Sequence, residues 1–551
     1  MTTTSNAPND RILPSTRRID RSADWWKRAV IYEIAPISFK DGDGDGKGDL
    51  KGLLDRTDYL EWLGVDAVWL TPFYRSPMLD FGYDIADFCD VDPVFGSLTD
   101  FDRLVEELHA RDIRVILDFV PNHTSDRHPW FVESRSSRSS PKRAWYVWAD
   151  ADADGGPPNN WLSRFGGSAW QWDEMTEQYY YHAFLPEQPD LNWRNPQVRQ
   201  AMADVLRFWM RRDVDGFRVD ASAVLIEDER LRDDPPDPEA DRNTPPPQRL
   251  KRIFTDDRRD SMTCLEELRQ VIDEFEHRML AGEVQGKTER IGHFYGEARP
   301  RLHLPLNFAL LDSPWDALSL QANIDAYFNA IPEGAWPCWV IGGHDKKRIA
   351  SKLGQAQLRN LAVLLLTLRG TPFLFAGDEI GIEQVDIPPD RVQDPFEKLV
   401  GGYGLNRDGE RAPMRWNGSA YGGFSNAEPW LPMGHGVAER NVELLKSDRQ
   451  SLLWLYHDLM QLRREHPEVL TGDYVPIRSR NDILSYIRTE SGSQLLIALN
   501  LAHEPRRLAF DLEGEMLLST YLDREKRSRD ATELLRPDEG VIIKLSPGFS
   551  L

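Results

Sequence analysis

Four apolar runs of this 551-residue chain each end on an acidic residue, and the type and position of these residues are typical of catalytic groups. They are Asp118 in VILDFVPNH, Asp220 in DGFRVDA, Glu283 in MLAGEVQ and Asp345 in WVIGGHDKKR. An ionised acid beside a strand that is buried on both faces is costly unless it has a partner or a function. Carboxyl groups that share a pocket can divide the roles of nucleophile and proton donor between them. We therefore expect the four side chains to lie together.

Eight apolar runs that alternate with helical patterns predict the scaffold that positions these acids. The predicted strands cover residues 29–36, 66–72, 114–120, 216–220, 279–284, 304–311, 338–343 and 371–381. Intervening stretches such as TDFDRLVEELHARD repeat apolar residues at three- and four-residue spacing, which is typical of helices. Alternating strands and helices predict a parallel sheet, and eight repeats predict an α/β fold of the (β/α)8 TIM-barrel class.

Two intervals break this alternation and predict additional domains. Residues 123–195 contain many aromatic and turn residues but no long helix, so we expect a small domain inserted after the third strand. Short alternating runs such as DILSYIRT and GVIIKLS predict an antiparallel, β-sandwich-like C-terminal domain over residues 472–551. The barrel then comprises residues 25–122 and 196–471, after a polar N-terminal extension of residues 1–24.

The composition disfavours several classes of partner. With 90 acidic and 67 basic residues, the chain has a formal net charge of −23, which disfavours nucleic acids and anionic membranes. Three widely spaced cysteines, Cys89, Cys264 and Cys338, predict neither a disulfide framework nor a zinc site. No apolar leader and no long apolar run occurs, so we expect a cytoplasmic monomer or homodimer that acts on a small neutral substrate.

Several motifs together resemble the α-amylase family of glycoside hydrolases and transferases. DFVPNH, GFRVDA, AGEV and GGHD occur in the order of that family's four signature regions. QPDLNW at 188–193 and NNWLSRFGGSAW at 159–170 resemble its oligo-1,6-glucosidase and α-glucosidase branch. The resemblance runs from about residue 25 to the C-terminus.

The resemblance implies that three acids carry out a double displacement. Asp220 is the implied nucleophile, Glu283 the implied general acid and then base, and Asp345 the implied stabiliser of the positively charged transition state. Retaining enzymes hold two carboxyl groups about 5 to 5.5 Å apart, so that one attacks the anomeric carbon directly. Arg218 lies two residues before Asp220 and faces the same side of the strand, so we expect its charge to keep Asp220 ionised.

Further residues are implied to bind the terminal sugar. His123 and His344 resemble hydrogen-bond partners of the bound glucose, and Tyr83 is expected to stack on its face. An ion pair between Asp80 and Arg411 is expected to close the far side of the site, so that only a chain end enters.

Three other positions concern the leaving group and the linkage. Phe184 and Gln188 resemble residues of the leaving-group site. Ala221 follows the nucleophile, and in similar glucosidases a Val there accompanies α-1,6 preference, so Ala221 favours α-1,4 linkages. The preference rests on one small side chain, and such a change is typically worth about 1 to 3 kcal/mol.

The loop DGDGDGKGDL at 41–50 predicts a cation site. It matches the first nine positions of a calcium loop, although Gly52 replaces the glutamate at the twelfth. Because family members carry a similar loop for Ca²⁺ or Mg²⁺, the resemblance implies a structural Ca²⁺, with Mg²⁺ possible and no organic cofactor. A solvated turn without metal is the alternative. The expected ligands are Asp41, Asp43, Asp45, Asp49 and the carbonyl of Lys47.

The chain departs from the family around its third acid. Gly343 stands where the family usually has Asn, and Lys346 and Lys347 follow Asp345 in place of a polar residue and a proline. The motifs favour an exo-acting α-glucosidase for maltose-like glucosides. An α-glucosyl transferase or isomerase that uses the same site is the alternative.

Overall fold

Eight parallel strands form the central sheet of the computed structural model, which describes residues 22–256, 258–284, 288–296, 298–509, 514–523 and 534–547. The strands are Ile31–Ile34 (β1), Ala67–Leu70 (β2), Arg114–Phe119 (β3), Gly216–Val219 (β4), Met279–Glu283 (β5), Leu304–Leu306 (β6), Cys338–Val340 (β7) and Thr371–Phe375 (β8). Neighbouring strands pair from β1 to β6, and β8 pairs with β1 and β7. The amide of Val340 donates to the carbonyl of Asn307 at 3.2 Å and joins β7 to the end of β6. The predicted TIM barrel is confirmed.

The barrel strands are buried on both faces, which explains their continuous apolar sequences. All residues of β1, β2, β3 and β4 are buried. Side chains such as Trp69, Met279 and Phe373 fill the barrel interior. The longer helices are Leu98–Ala110, Pro196–Met210, Arg259–Ile272, Ala317–Ala330, Ile349–Thr367 and Leu452–Glu465, and shorter ones include Leu50–Leu54, Thr57–Leu63, Pro129–Arg135, Ile291–Tyr295 and Val442–Ser447.

The segment after β3 contains a small antiparallel sheet in place of a direct connection to the next helix. Its three strands are Trp148–Ala149, Trp170–Asp173 and Gln178–Tyr181, with the last in the centre. An apolar cluster that includes Trp161, Trp170 and Tyr181 packs against it. An isolated bridge between His123 and Asp190 connects the start and the end of this segment beside the barrel.

The C-terminal part forms a five-stranded antiparallel sheet, as predicted. Its strands are Asp473–Arg480 (β9), Ile483–Glu490 (β10), Ser493–Asn500 (β11), Gly514–Ser519 (β12) and Gly540–Leu545 (β13), in the order β9-β10-β11-β13-β12. Residues 1–21 of the predicted N-terminal extension lie outside the described residues. Within the described ranges, no helix combines the length and the apolar character needed to cross a bilayer.

Candidate active site

The strand-end acids meet around one arginine, as the strand register dictates. Asp118 on β3 pairs in register with Arg218 on β4, and Glu283 ends the next strand, β5. Arg218 Nη1 donates to Asp118 Oδ1 at 2.8 Å and to Asp220 Oδ1 at 2.7 Å. Arg218 Nη2 donates to Glu283 Oε2. One guanidinium therefore contacts three of the four predicted acids.

A cavity of about 460 Å³ opens over these acids and has the size of a small-molecule site. Eight predicted residues line it: Asp80, Tyr83, His123, Phe184, Asp220, Ala221, Glu283 and Asp345. Four other predicted residues lie behind its wall and contact lining residues: Gln188, Arg218, His344 and Arg411. The sequence motifs therefore converge on one site.

Asp220 is less strongly ionised than the sequence suggested. Burial raises the pKa of Asp220 to about 7, with Arg218 opposing the rise and Glu283 and Asp118 adding to it. The prediction that Arg218 keeps this acid ionised is wrong near neutral pH, because burial outweighs the charge of a guanidinium that is also shared among three carboxylates. Near neutral pH, Asp220 is therefore poised between its protonated and its ionised form.

Asp345 has the opposite electrostatic character. Burial would raise the pKa of Asp345, but His344, Arg411 and Arg407 outweigh burial and hold that pKa well below its usual range. Arg411 Nη2 donates to Asp345 Oδ1 at 2.5 Å, Arg407 Nη1 donates to the same oxygen at 3.1 Å, and His344 Nε2 lies 3.1 Å from Oδ2. Asp345 thus presents a fixed negative charge that can stabilise positive charge on a substrate.

The predicted ion pair between Asp80 and Arg411 is wrong. Asp80 Oδ1 instead accepts from Arg407 Nη2 at 2.9 Å, whereas Arg411 points towards Asp345. Arg411 Nη1 donates to the carbonyl of Arg407 at 3.0 Å, which holds it alongside. Arg407 also contacts Asp394 at 2.8 Å, so this arginine joins three acids. Sequence analysis missed Arg407, although it precedes Arg411 by four residues in the motif RDGERAPM.

Glu33, which sequence analysis also missed, holds His344 from the end of β1. The amide of His344 donates to Glu33 Oε1 at 3.1 Å, and the ring Nδ1 lies 2.5 Å from the same oxygen. His344 Nε2 lies 2.7 Å from the hydroxyl of Tyr83, which donates to Asp118 Oδ2 at 2.8 Å. Burial opposes the charge of His344, but Asp345 and Glu33 raise its pKa to about 10. His344 is therefore cationic at neutral pH.

The carboxylate of Glu33 gives a physical reason for the glycine at position 343. A Cβ atom on Gly343 would lie 3.2 Å from Glu33 Oε2, a tight contact, so any side chain there would press against this carboxylate. Glu33 itself follows the apolar start of β1 in the sequence IYEIAP. An acid inside an apolar strand is as costly as one at its end, so this position could have marked Glu33 as a site residue.

Residues of the inserted segment form a neutral wall of the site. Gln188 Nε2 donates to Asp80 Oδ2 at 3.1 Å and lies 3.2 Å from His123 Nε2. Burial lowers the pKa of His123 to about 3, so its ring is neutral. The ring of Phe184 packs 5.1 Å from that of His123. Such a wall can pack against the apolar face of a sugar.

The acidic loop brings together three of its four predicted carboxylate ligands. Carboxylate oxygens of Asp41, Asp43 and Asp49 all lie within 4.8 Å of one another. Asp45 is exposed and lies outside this group, and its Oδ1 accepts from the Lys47 amide at 2.8 Å, whereas the carbonyl of Lys47 stays a predicted ligand. Clustered carboxylate oxygens suit a hard divalent cation such as Ca²⁺.

Comparisons with known proteins agree with the fold and the site. Residues 33–472 match the sequence family described as "Alpha amylase, catalytic domain". A probable alpha-glucosidase of Rhizobium meliloti (strain 1021) is 40% identical over 531 residues, covering 92% of this chain and 96% of that protein. An oligo-1,6-glucosidase of Parageobacillus thermoglucosidasius is 34% identical over 565 residues, covering 95% of this chain and 99% of that protein.

Solved structures extend the likeness to three dimensions. The alpha-glucosyl transfer enzyme XgtA has a TM-score of 0.89 at 37% identity, covering 95% of this chain and 99% of that chain. The trehalulose synthase MutB from Pseudomonas mesoacidophila MX-45 has a TM-score of 0.87 at 33% identity, covering 95% of this chain and 100% of that chain. The chain therefore belongs to the α-amylase family of glycoside hydrolases, within its α-glucosidase and oligo-1,6-glucosidase branch.

Proposed function

We propose that this enzyme is a retaining, exo-acting α-glucosidase that releases terminal glucose from short α-1,4-glucosides. The observation that carries the proposal is the Arg218 guanidinium, which contacts both Asp220 and Glu283 at the base of the cavity. Two carboxylates held by one guanidinium are close enough to flank a single scissile bond. Double displacement requires that arrangement.

Each acid has a distinct role in the proposed reaction. Asp220 attacks the anomeric carbon while Glu283 donates its proton to the departing glycosidic oxygen, which forms a glucosyl ester and breaks the glycosidic bond. Glu283, now ionised, takes a proton from water as that water attacks the anomeric carbon and frees Asp220. Asp345 keeps its negative charge throughout and stabilises the positive charge of each transition state.

The closed end of the cavity supports action on chain ends. Arg407 connects Asp80 with Asp345 and Asp394, so a charged network occupies the wall that a longer chain would have to cross. Its charged oxygens and nitrogens can hydrogen-bond the outer hydroxyls of a terminal glucose. Ala221 lines the same cavity and supports the preference for α-1,4 linkages.

A second candidate is α-glucosyl transfer to a sugar or alcohol acceptor, or disaccharide isomerisation, through the same glucosyl ester. The likeness to proteins described as an alpha-glucosyl transfer enzyme and a trehalulose synthase favours it. The two candidates differ only in whether water or a hydroxyl compound accepts the glucosyl group.

Product analysis with maltose, isomaltose and sucrose separates these candidates. We expect mainly free glucose from maltose, seen first as the α-anomer in a time-resolved NMR spectrum. New disaccharides as the main products would favour transfer, and initial release of β-glucose would contradict retention. The variants Asp220→Asn and Glu283→Gln should lose activity while their circular dichroism spectra stay unchanged.

We also propose that the acidic loop holds a structural divalent cation, Ca²⁺ or Mg²⁺. Asp41, Asp43 and Asp49 would supply carboxylate ligands, and the ion would neutralise their mutual repulsion. Calorimetric titration of the chelator-treated protein with each ion tests this. The cytoplasmic location and the monomeric or homodimeric state stay predictions.

A further inference from the structure

Three cationic side chains lie on the outer wall of the catalytic cavity, which we define as its lining residues Arg164, Phe165, Pro247, Gln248, Arg252, Asp256, Lys346 and Phe396. Arg164 comes from the inserted segment, Arg252 from the segment after β4, and Lys346 from the loop after β7. Among the described residues of this wall, the one acid is Asp256, and it already pairs with Arg164 at 2.7 Å. The outer wall is therefore net positive.

Among the described residues, no acid forms an ion pair with Arg252. Its two terminal nitrogens donate to backbone carbonyls, those of Leu162 at 2.8 Å and Pro247 at 2.9 Å. These contacts fix the guanidinium but do not neutralise it. Burial, followed by the charge of Arg164, lowers the pKa of Arg252, and the opposing effect of Asp256 is smaller.

Lys346 occupies one of the positions at which the sequence departs from the family. Its ammonium lies 4.9 Å from the ring centroid of Phe308, a cation–π contact that leaves hydrogen-bond donors available. No ion pair of Lys346 occurs within the described ranges of the chain. The neighbouring Asp345 is engaged by Arg407 and Arg411.

The position of these cations matters in a chain whose net charge is −23. Such a protein repels anions in general, so an anionic ligand needs local positive charge to enter. In the proposed reaction the acids of the inner cavity surround the glucosyl unit, so we expect the leaving group to face the outer wall. The positive charge of an arginine and the free donors of a lysine ammonium together suit phosphate or carboxylate oxygens.

We propose that the outer wall binds an anionic group, a phosphate or a carboxylate, on the aglycone or acceptor of the α-glucoside. This inference rests on the proposed glucosidase function and adds the substrate class of its leaving-group side. Arg252 and Lys346 are the specificity-determining residues.

The test compares two aryl glucosides of nearly equal size. These are 4-carboxyphenyl α-D-glucoside, which is anionic, and 4-carbamoylphenyl α-D-glucoside, which is neutral and has the better leaving group. We expect kcat/KM to favour the anionic compound at least about tenfold at low ionic strength. The preference should shrink as salt is raised from about 0.02 to about 0.5 M, because salt screens the attraction.

Variants assign the preference to the two cations. In Lys346→Met and Arg252→Met, the ratio of the two kcat/KM values should fall towards one. Lys347→Met is the matched control, because this neighbouring lysine is exposed and does not line the cavity, and its ratio should equal that of the wild type. A third substrate, 4-phosphonophenyl α-D-glucoside, distinguishes a phosphate-bearing from a carboxylate-bearing aglycone. Faster cleavage of this compound than of the 4-carboxyphenyl glucoside identifies a phosphate-bearing aglycone, and slower cleavage identifies a carboxylate-bearing one.

The wild-type comparison alone can overturn the inference without any variant. Equal or faster cleavage of the neutral glucoside at low salt would show that the outer wall does not select anions, while the proposed glucosidase function would stand. Cleavage of neither glucoside, with maltose also untouched, would refute the proposed function and this inference with it.

Discussion

Replacing Glu33 by Gln removes one of the two negative charges that keep His344 cationic, while the side-chain shape is retained. The pKa of His344 rises from its ordinary 6.5 to about 10 although burial opposes the rise. One pKa unit corresponds to about 1.4 kcal/mol, so the whole rise represents about 4 to 5 kcal/mol. Because Asp345 and Glu33 share it, we expect Glu33→Gln to lower the free energy of unfolding by about 2 kcal/mol at neutral pH.

The sign of the pH dependence follows from the direction of this pKa. A group whose pKa is higher in the folded than in the unfolded protein stabilises the fold fully below its unfolded value, here about 6.5. That contribution is lost as the pH rises through about 10. The decline begins near the unfolded value in both proteins, but in the variant it is complete at a lower pH because the folded pKa is lower, so the two stabilities should converge towards pH 10.

Two assays measure this effect. Urea unfolding at pH 7 and at pH 9.5 gives the stability difference at each pH. The pH profile of kcat/KM on p-nitrophenyl α-glucoside should have its alkaline limb about one to two pH units lower in the variant, because neutral His344 no longer supports Asp345.

Glu379→Gln is the matched control for removing a buried acid. Glu379 Oε1 accepts from the hydroxyls of Tyr32 at 2.8 Å and Tyr59 at 2.6 Å, and no described contact joins it to His344. This control should lose stability but keep the alkaline limb of the wild type. An unchanged alkaline limb in Glu33→Gln would refute the role given to Glu33.

Three further perturbations test other parts of the site. Arg407→Ala leaves three acids without their shared partner, so it should lower kcat/KM on maltose at least about 100-fold and the free energy of unfolding by about 3 to 5 kcal/mol. The control Arg391→Ala breaks an exposed ion pair and should change neither quantity. Ala221→Val should raise the isomaltose-to-maltose ratio of kcat/KM about tenfold, and an unchanged ratio would exclude linkage control by this residue. The same variant should have a lower Tm, because the φ of 49° at this position disfavours a β-branched residue. A chelator should lower the Tm of the wild type and Ca²⁺ should restore it, whereas Asp41→Asn should respond to neither; a chelator-insensitive wild type would contradict the cation site.

The barrel and the convergence of its acids could be predicted from sequence because burial on both faces leaves a simple pattern. Each barrel strand reads as an apolar run, and the acid at its end marks the carboxyl edge of the sheet. The strand boundaries were predicted too long, since residues such as Pro72 and Gly343 belong to the loops that follow. Apolarity continues into these loops because they are also buried.

Side-chain partners could not be predicted in the same way. Arg407 and Arg411 are four residues apart in a loop, and the sequence does not indicate which of the two guanidinium groups contacts Asp80. Their assignment depends on the path of the loop, which no local pattern encodes. Likewise, the pKa of Asp220 depends on how many carboxylates share Arg218, and this number emerges only when three strands are placed side by side.

Identification of the residue that becomes glucosylated tests the proposed mechanism most directly. A slow substrate such as 5-fluoro-α-D-glucosyl fluoride should trap the glucosyl-enzyme ester, and peptide mass spectrometry after digestion locates it. We predict that the label lies on Asp220 and that it accumulates faster as the pH rises through about 7, where this acid ionises. A label on another carboxylate, or complete turnover without any covalent adduct, would contradict double displacement at Asp220.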